Sequence, residues 1–188
     1  MLSQLRRADK EAARLFPGTE PNRLDPGFGA VGLFLSRKLA PNYYEWCTPK
    51  NCWMFAGTCG DGVHFSLLEQ NGKVHDDSPV VVTQPANMGQ SWIVGENLYD
   101  FLSFGASRVF QAFEVIDPTW RPTAAWRKLW LPREDEQQII DFLIDRFHLK
   151  PWADRKRFRI LQESFLKELD LPNEVKEFLP QEMESFLN

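Results

Sequence analysis

Two apolar, alternating arms around a glycine-rich turn constrain this chain more than any other segment. They are carried by Phe55-Ala56-Gly57-Thr58-Cys59-Gly60-Asp61-Gly62-Val63-His64-Phe65-Ser66-Leu67-Leu68. Alternation on both sides of such a turn is the sequence form of a β-hairpin. On the outgoing arm Val63, Phe65 and Leu67 share one face, and His64, Ser66 and Leu68 share the other. With Val63 turned to the core, His64 is expected to face away from it. Gly60 and Gly62 flank Asp61, so the turn can adopt positive φ without a Cβ penalty. The hairpin therefore predicts a sheet near the middle of the chain.

The neighbouring patterns extend that sheet and surround it with helices. Strands are expected over 52–57, 63–69 and 80–83, the last bracketed by Pro79 and Pro85, with a second turn at Asn71-Gly72. Leu5, Ala8, Ala12 and Leu15 recur at helical spacing up to Pro17-Gly18. Leu98, Phe101 and Leu102 mark a helix over 96–104, with Gly105 placed for a left-handed cap. After Arg133, one stripe comprises Ile139, Ile140, Leu143, Ile144 and Phe147, and a second Phe158, Leu161, Phe165, Leu166 and Leu169. Asn173 is placed to cap a third helix, which Pro180 should divide. The layout is α+β: a central, mostly antiparallel sheet, helices at both ends and a helical C-terminal third. It reads as one domain over 1–188, with a sheet core over about 1–125 and helices over about 126–188.

Bulk properties narrow the function. A 43% hydrophobic and 13% aromatic composition can build a sizeable core. The net charge of −4 lies wholly in the acidic part from Arg133 onward, and it argues against a general nucleic-acid binder. Cys47, Cys52 and Cys59, an odd number without a recognisable leader, point to reduced thiols in a cytoplasmic protein. No apolar run approaches the ~20 residues that span a bilayer, so membrane insertion is not expected.

The candidate chemistry is weak. Cys59, Asp61 and His64 are the residue types of a thiol nucleophile, an acid and a base, but alternation separates them around a turn. Cys47, Cys52, Cys59 and His64 fit no paired zinc spacing. The glycine turn lacks the P-loop lysine and is followed by a strand. Trp120, Trp126 and Trp130 interleave with Arg121, Arg127 and Lys128, yet Glu134-Asp135-Glu136 follows at once and would repel phosphate. Arg155-Lys156-Arg157 reads as a solvated helix face. No catalytic set, metal site or cofactor is therefore assigned. Trp46, Trp53 and Trp92, in contrast, are residues of the kind that anchor protein interfaces.

Three segments together resemble the SUKH superfamily, which contains bacterial toxin-immunity proteins, Syd-like proteins and fungal regulators of cell-wall synthesis. They are the Phe55 to Phe65 turn, Ser78-Pro79-Val80-Val81-Val82, and Ile93-Val94-Gly95-Glu96-Asn97-Leu98-Tyr99-Asp100-Phe101-Leu102. The resemblance covers about a third of the chain. It implies an α+β fold whose sheet binds another protein, most often a toxin module, without catalysis. The expectation is a monomeric or homodimeric immunity-type protein that occludes its partner through a cleft formed by the Cys59–His64 turn and the Asp76-Asp77 loop. The partner-binding candidates are Trp46, Trp53, Asp61, His64, Asp76, Asp77 and Trp92. A regulatory scaffold in envelope synthesis or secretion is the alternative, and a hydrolase using Cys59 and His64 is the enzymatic rival.

Overall fold

The computed structural model describes residues 1–17, 27–41, 43–58, 60–116, 131–179 and 181–187. Cys59 and the Trp120–Trp130 region therefore lie outside the described residues. Five strands form one antiparallel sheet in sequence order: β1 (Phe34–Pro41), β2 (Cys52–Gly57), β3 (His64–Leu68), β4 (Val80–Gln84) and β5 (Gln90–Gly95). Among the described residues the α-helices are α1 (Leu2–Leu15), α2 (Leu98–Gly105), α3 (Glu134–Phe147), α4 (Arg155–Phe165), α5 (Asn173–Lys176) and α6 (Gln181–Leu187). This is the expected α+β arrangement with a helical C-terminal part. No described helix is long and apolar enough to cross a membrane.

The glycine-rich turn forms as its residues dictate. Asp61 and Gly62 both take positive φ, 41° and 74°, and the Val63 N–H donates to the Gly60 carbonyl at 3.0 Å. Two left-handed central residues match the right-handed twist of the flanking strands, as in a type I′ hairpin. Asn71-Gly72 repeats the device with φ of 53° and 75°.

Strands β1 and β5 are not apparent in the sequence pattern. In β5, Ser91 through Gly95 is buried throughout, so apolar and polar residues do not alternate. In β1 the register slips between Leu35 and Ala40, which breaks the two-residue period.

One sheet face is aromatic. Phe65 packs on Phe101 of α2 and on Phe113 of a 3₁₀ turn (Phe110–Val115), with ring centroids 4.9 and 5.5 Å apart. Asn97 caps α2 by accepting the Asp100 N–H at 2.9 Å. Gly105 does not adopt the left-handed cap expected of it, because the helix runs on into a right-handed Ala106. Glycine is needed there because a β-carbon would overlap the Phe110 ring.

The C-terminal helices seal the rest. Gln162 of α4 lies against edge strand β5, accepting the Ile93 N–H at 2.9 Å and donating to the Ile93 carbonyl at 2.7 Å. Buried Asp100 accepts the Trp152 indole N–H and pairs with Arg157, whose guanidinium stacks on Trp152. Arg157 is thus a clamp as well as part of an exposed helix face. Beyond α4, Lys50 N–H donates to the Asp170 carbonyl, and Asn51 bonds the Glu168 carbonyl and the Asp170 N–H. Asn173 is the first residue of α5 and not its cap, a position held by Pro172. Buried apolar side chains join in one core from Leu2 to Met183.

Candidate functional site

The other sheet face carries a polar residue at one end of its central strand. His64 opens β3, and the whole strand is buried because segments cover both sheet faces. The expectation that His64 faces away from the core is therefore corrected: its strand face is also an interior face. The segment covering it is a tight turn in which Cys47 and Thr48 N–H both donate to the Tyr44 carbonyl. Thr48 Oγ1 accepts the Tyr44 N–H at 2.9 Å and lies 3.0 Å from His64 Nε2. The Gly62 carbonyl can only accept, so His64 Nδ1 carries the ring proton and donates to it at 2.9 Å, and Nε2 of the neutral ring accepts the Thr48 hydroxyl. Both nitrogens are used by a neutral ring, and burial depresses its pKa below the ordinary 6.5.

Tyr43 and Tyr44 pack their rings against His64, with centroids 5.3 and 5.7 Å away. Beside them opens a recess of about 320 Å³, lined by Phe34, Tyr43, Tyr44, Met54, Gly57, Gly62, Val63 and His64. Gly62 permits this shape, since a β-carbon there would lie 3.0 Å from the Tyr44 ring. Tyr43 and Trp46 are 45% and 46% exposed. Trp46 adjoins Cys47, and a β-carbon on Gly89 would collide with both Cys47 and Val175. Met88, next to Gly89 in the chain, and Phe178, whose N–H donates to the Val175 carbonyl, are also exposed apolar residues.

The expected site residues divide. Asp61 and His64 sit at the recess end of β3, with Asp61 exposed on the turn, and Trp46 is on the segment bonded to His64. Asp76 and Asp77 lie beyond the opposite end of the strand. Five residues of strand, roughly 17 Å, separate the two loops, so no single cleft joins them. Asp76 is engaged there by the Met1 amino group and the Leu2 N–H. Trp53 is half-buried opposite Leu67, its indole donating to Glu69 at 3.1 Å. Trp92 is 1% exposed in β5, a core residue with no surface to offer a partner. Tyr43, Tyr44, Phe34 and Met54 join His64 as walls of the recess. The Tyr43-Tyr44-Glu45-Trp46 run was a visible aromatic signal, but the recess depends on its packing beside β1 and β3.

Thr48 is fully buried beneath its hydrogen bonds, and burial raises the Cys47 thiol to about 11 and Cys52 further still. Among the described residues no three His, Cys, Asp or Glu side chains converge to hold a metal. No protein-family model, curated protein or solved structure matches the chain.

Proposed function

We propose that this chain is a non-enzymatic protein-binding domain of the immunity type, which acts by covering a functional surface of its partner. The observation that carries this reading is the pairing of an exposed Tyr43 and Trp46 with a recess of about 320 Å³ whose histidine is committed to internal hydrogen bonds. Exposed aromatic rings bury large areas while losing few rotamers, and a pocket beside them lets a partner residue interlock. A stable complex of this kind buries about 1,600 Å² in total. The partner class comes from the SUKH-like segments, which imply a bacterial toxin module.

The test is affinity capture from native extract with the wild-type chain and with Trp46→Ala, followed by mass spectrometry. The expected result is one stoichiometric partner containing a toxin-like module, lost with the variant. Recovery of envelope-synthesis or secretion components would transfer the binding role to a regulatory scaffold. No Trp46-dependent partner would overturn the proposal.

A further inference from the structure

The turn that carries Tyr43 and Trp46 is held to itself and to the sheet by different bonds. Within the turn, the Cys47 and Thr48 N–H groups donate to the Tyr44 carbonyl, and Thr48 Oγ1 accepts the Tyr44 N–H. From the turn to the sheet, the Thr48 hydroxyl donates to His64 Nε2 at 3.0 Å, while the Tyr43 and Tyr44 rings pack on the imidazole. These three contacts converge on one side chain that is 1% exposed. The Thr48 bond requires its neutral form, because the single ring proton sits on Nδ1 and is given to the Gly62 carbonyl.

A second ring proton changes this contact. The imidazolium donates from both nitrogens, so Nε2–H meets the Thr48 hydroxyl proton until that hydroxyl turns away. It is also a buried charge, which needs a counter-ion or water. The titratable groups on the covering turn are the Tyr43 and Tyr44 phenols, the Cys47 thiol and the exposed Glu45 carboxylate. The neighbours from β1, β2 and β4 are Phe34, Met54, Gly57 and Thr83, which carry no charge. Further along β1, Arg37 and Lys38 are exposed; on the hairpin turn Asp61 is exposed, and Glu114 stands at Gly60. Among the described residues no charged side chain lines the recess or bonds the ring. The quadrupoles of the two tyrosine rings offset only part of the cost of the buried charge. Water is the remaining partner, and lifting Tyr43 and Tyr44 opens the imidazole to the solvent of the adjoining recess.

Resting on the protein-binding reading above, we propose that His64 is a pH-sensitive latch on the 43–48 turn: its neutral ring closes the turn on the sheet, and its protonation frees the turn and loosens the arrangement of Tyr43 and Trp46 that a partner meets. Burial disfavours the charged ring and holds its pKa below 6.5 in the closed state, so an opened, hydrated ring takes up a proton more readily. Opening is therefore favoured as pH falls through 6.5. By linkage, a partner that needs the closed turn binds best above about pH 7.

The latch is read by amide hydrogen exchange on the full chain, followed residue by residue by NMR. Corrected for the intrinsic rate, protection of the Cys47 and Thr48 N–H groups should fall about 3- to 10-fold between about pH 7.5 and about pH 5.5. These amides should stay less protected than those of β3 and β4 at both values, which marks a local opening. His64→Gln should remove most of the pH dependence; if that variant does not fold, the wild-type comparison of turn with strands decides alone. Protection of the turn that ignores pH, or that matches the strands throughout, would overturn the latch. The affinity of the captured partner should fall over the same interval, by no more than the same factor. Unchanged affinity would overturn the link to binding. If the latch fails while Trp46-dependent capture of a partner holds, the latch falls and the binding domain stands. If the turn opens as expected but no partner is captured, the protein-binding reading falls and takes the regulatory role with it.

Discussion

The two edges of the sheet are finished in opposite ways. Strand β5 is buried from Ser91 to Gly95, and Gln162 bonds the Ile93 backbone in place of a sixth strand. Strand β1 is half-exposed, slips register between Leu35 and Ala40, and presents Arg37 and Lys38 to solvent. An unpaired edge invites another chain, and both solutions prevent that: one covers the edge, the other bends and charges it. The difference separates tasks. The covered edge ties α4 to the sheet and serves stability. The open side, where β1 begins beside the 61–64 turn, leaves room for the recess and its exposed aromatic neighbours.

That contrast is most directly broken at Gln162. Gln162→Leu leaves the Ile93 N–H and carbonyl buried without partners, and should cost about 3–5 kcal/mol of unfolding free energy in urea titration. A loss below about 1 kcal/mol would mean that the β5 edge is not held by this side chain. Next, Asp100→Ala removes the acceptor of the Trp152 indole, of Arg157 and of the Glu96 N–H. Arg157 is half-exposed and so recovers hydration, which sets the expected cost at roughly 2–3 kcal/mol by the same measurement.

At the open side, stability should respond to pH. The unfolded chain titrates His64 at its ordinary 6.5, whereas the buried folded ring resists protonation. Below that value the unfolded state binds the extra proton. Stability should therefore be complete above about pH 7 and fall as pH drops through 6.5 toward the depressed folded value. Comparing urea midpoints at about pH 7.5 and about pH 5.5, His64→Gln should show a smaller drop than the wild type. An unchanged drop would place the titration elsewhere.

The smallest effect on folding belongs to the exposed rings. Trp46→Ala or Tyr43→Ala should shift stability by less than about 0.5 kcal/mol. Each should nonetheless weaken capture of the partner by about 30-fold, as a central aromatic contact does. A large loss of stability in either variant would assign these rings to packing and erase the division between the two sides.

Much of this architecture follows from short-range pattern in the sequence. Asp61-Gly62 and Asn71-Gly72 specify their turns because few residues adopt positive φ cheaply. The stripes of α3 and α4 and the Leu5-Ala8-Ala12 part of the α1 stripe bury the faces their spacing marks, because a helix repeats every 3.6 residues, whereas Leu15 at the end of α1 is exposed. The α+β class follows from those two periods. The site itself is only partly legible: the sequence marks Asp61, His64 and Trp46, whereas Tyr43, Tyr44 and Phe34 acquire a role only where β1 meets the 43–48 turn.

The tertiary structure alone decided the rest. Gln162 reaches Ile93 across 69 positions, and Arg157 reaches Asp100 across 57, distances that no local period encodes. It also placed Asp76 and Asp77 at the far end of β3 and sealed Trp92 in the core. His64 shows the physical reason most clearly. Alternation assigns it a face of the strand, but whether that face meets water or Thr48 depends on what the remote chain lays over it. A turn or helix records its geometry in its own residues, whereas the burial of a polar side chain is a property of its neighbours.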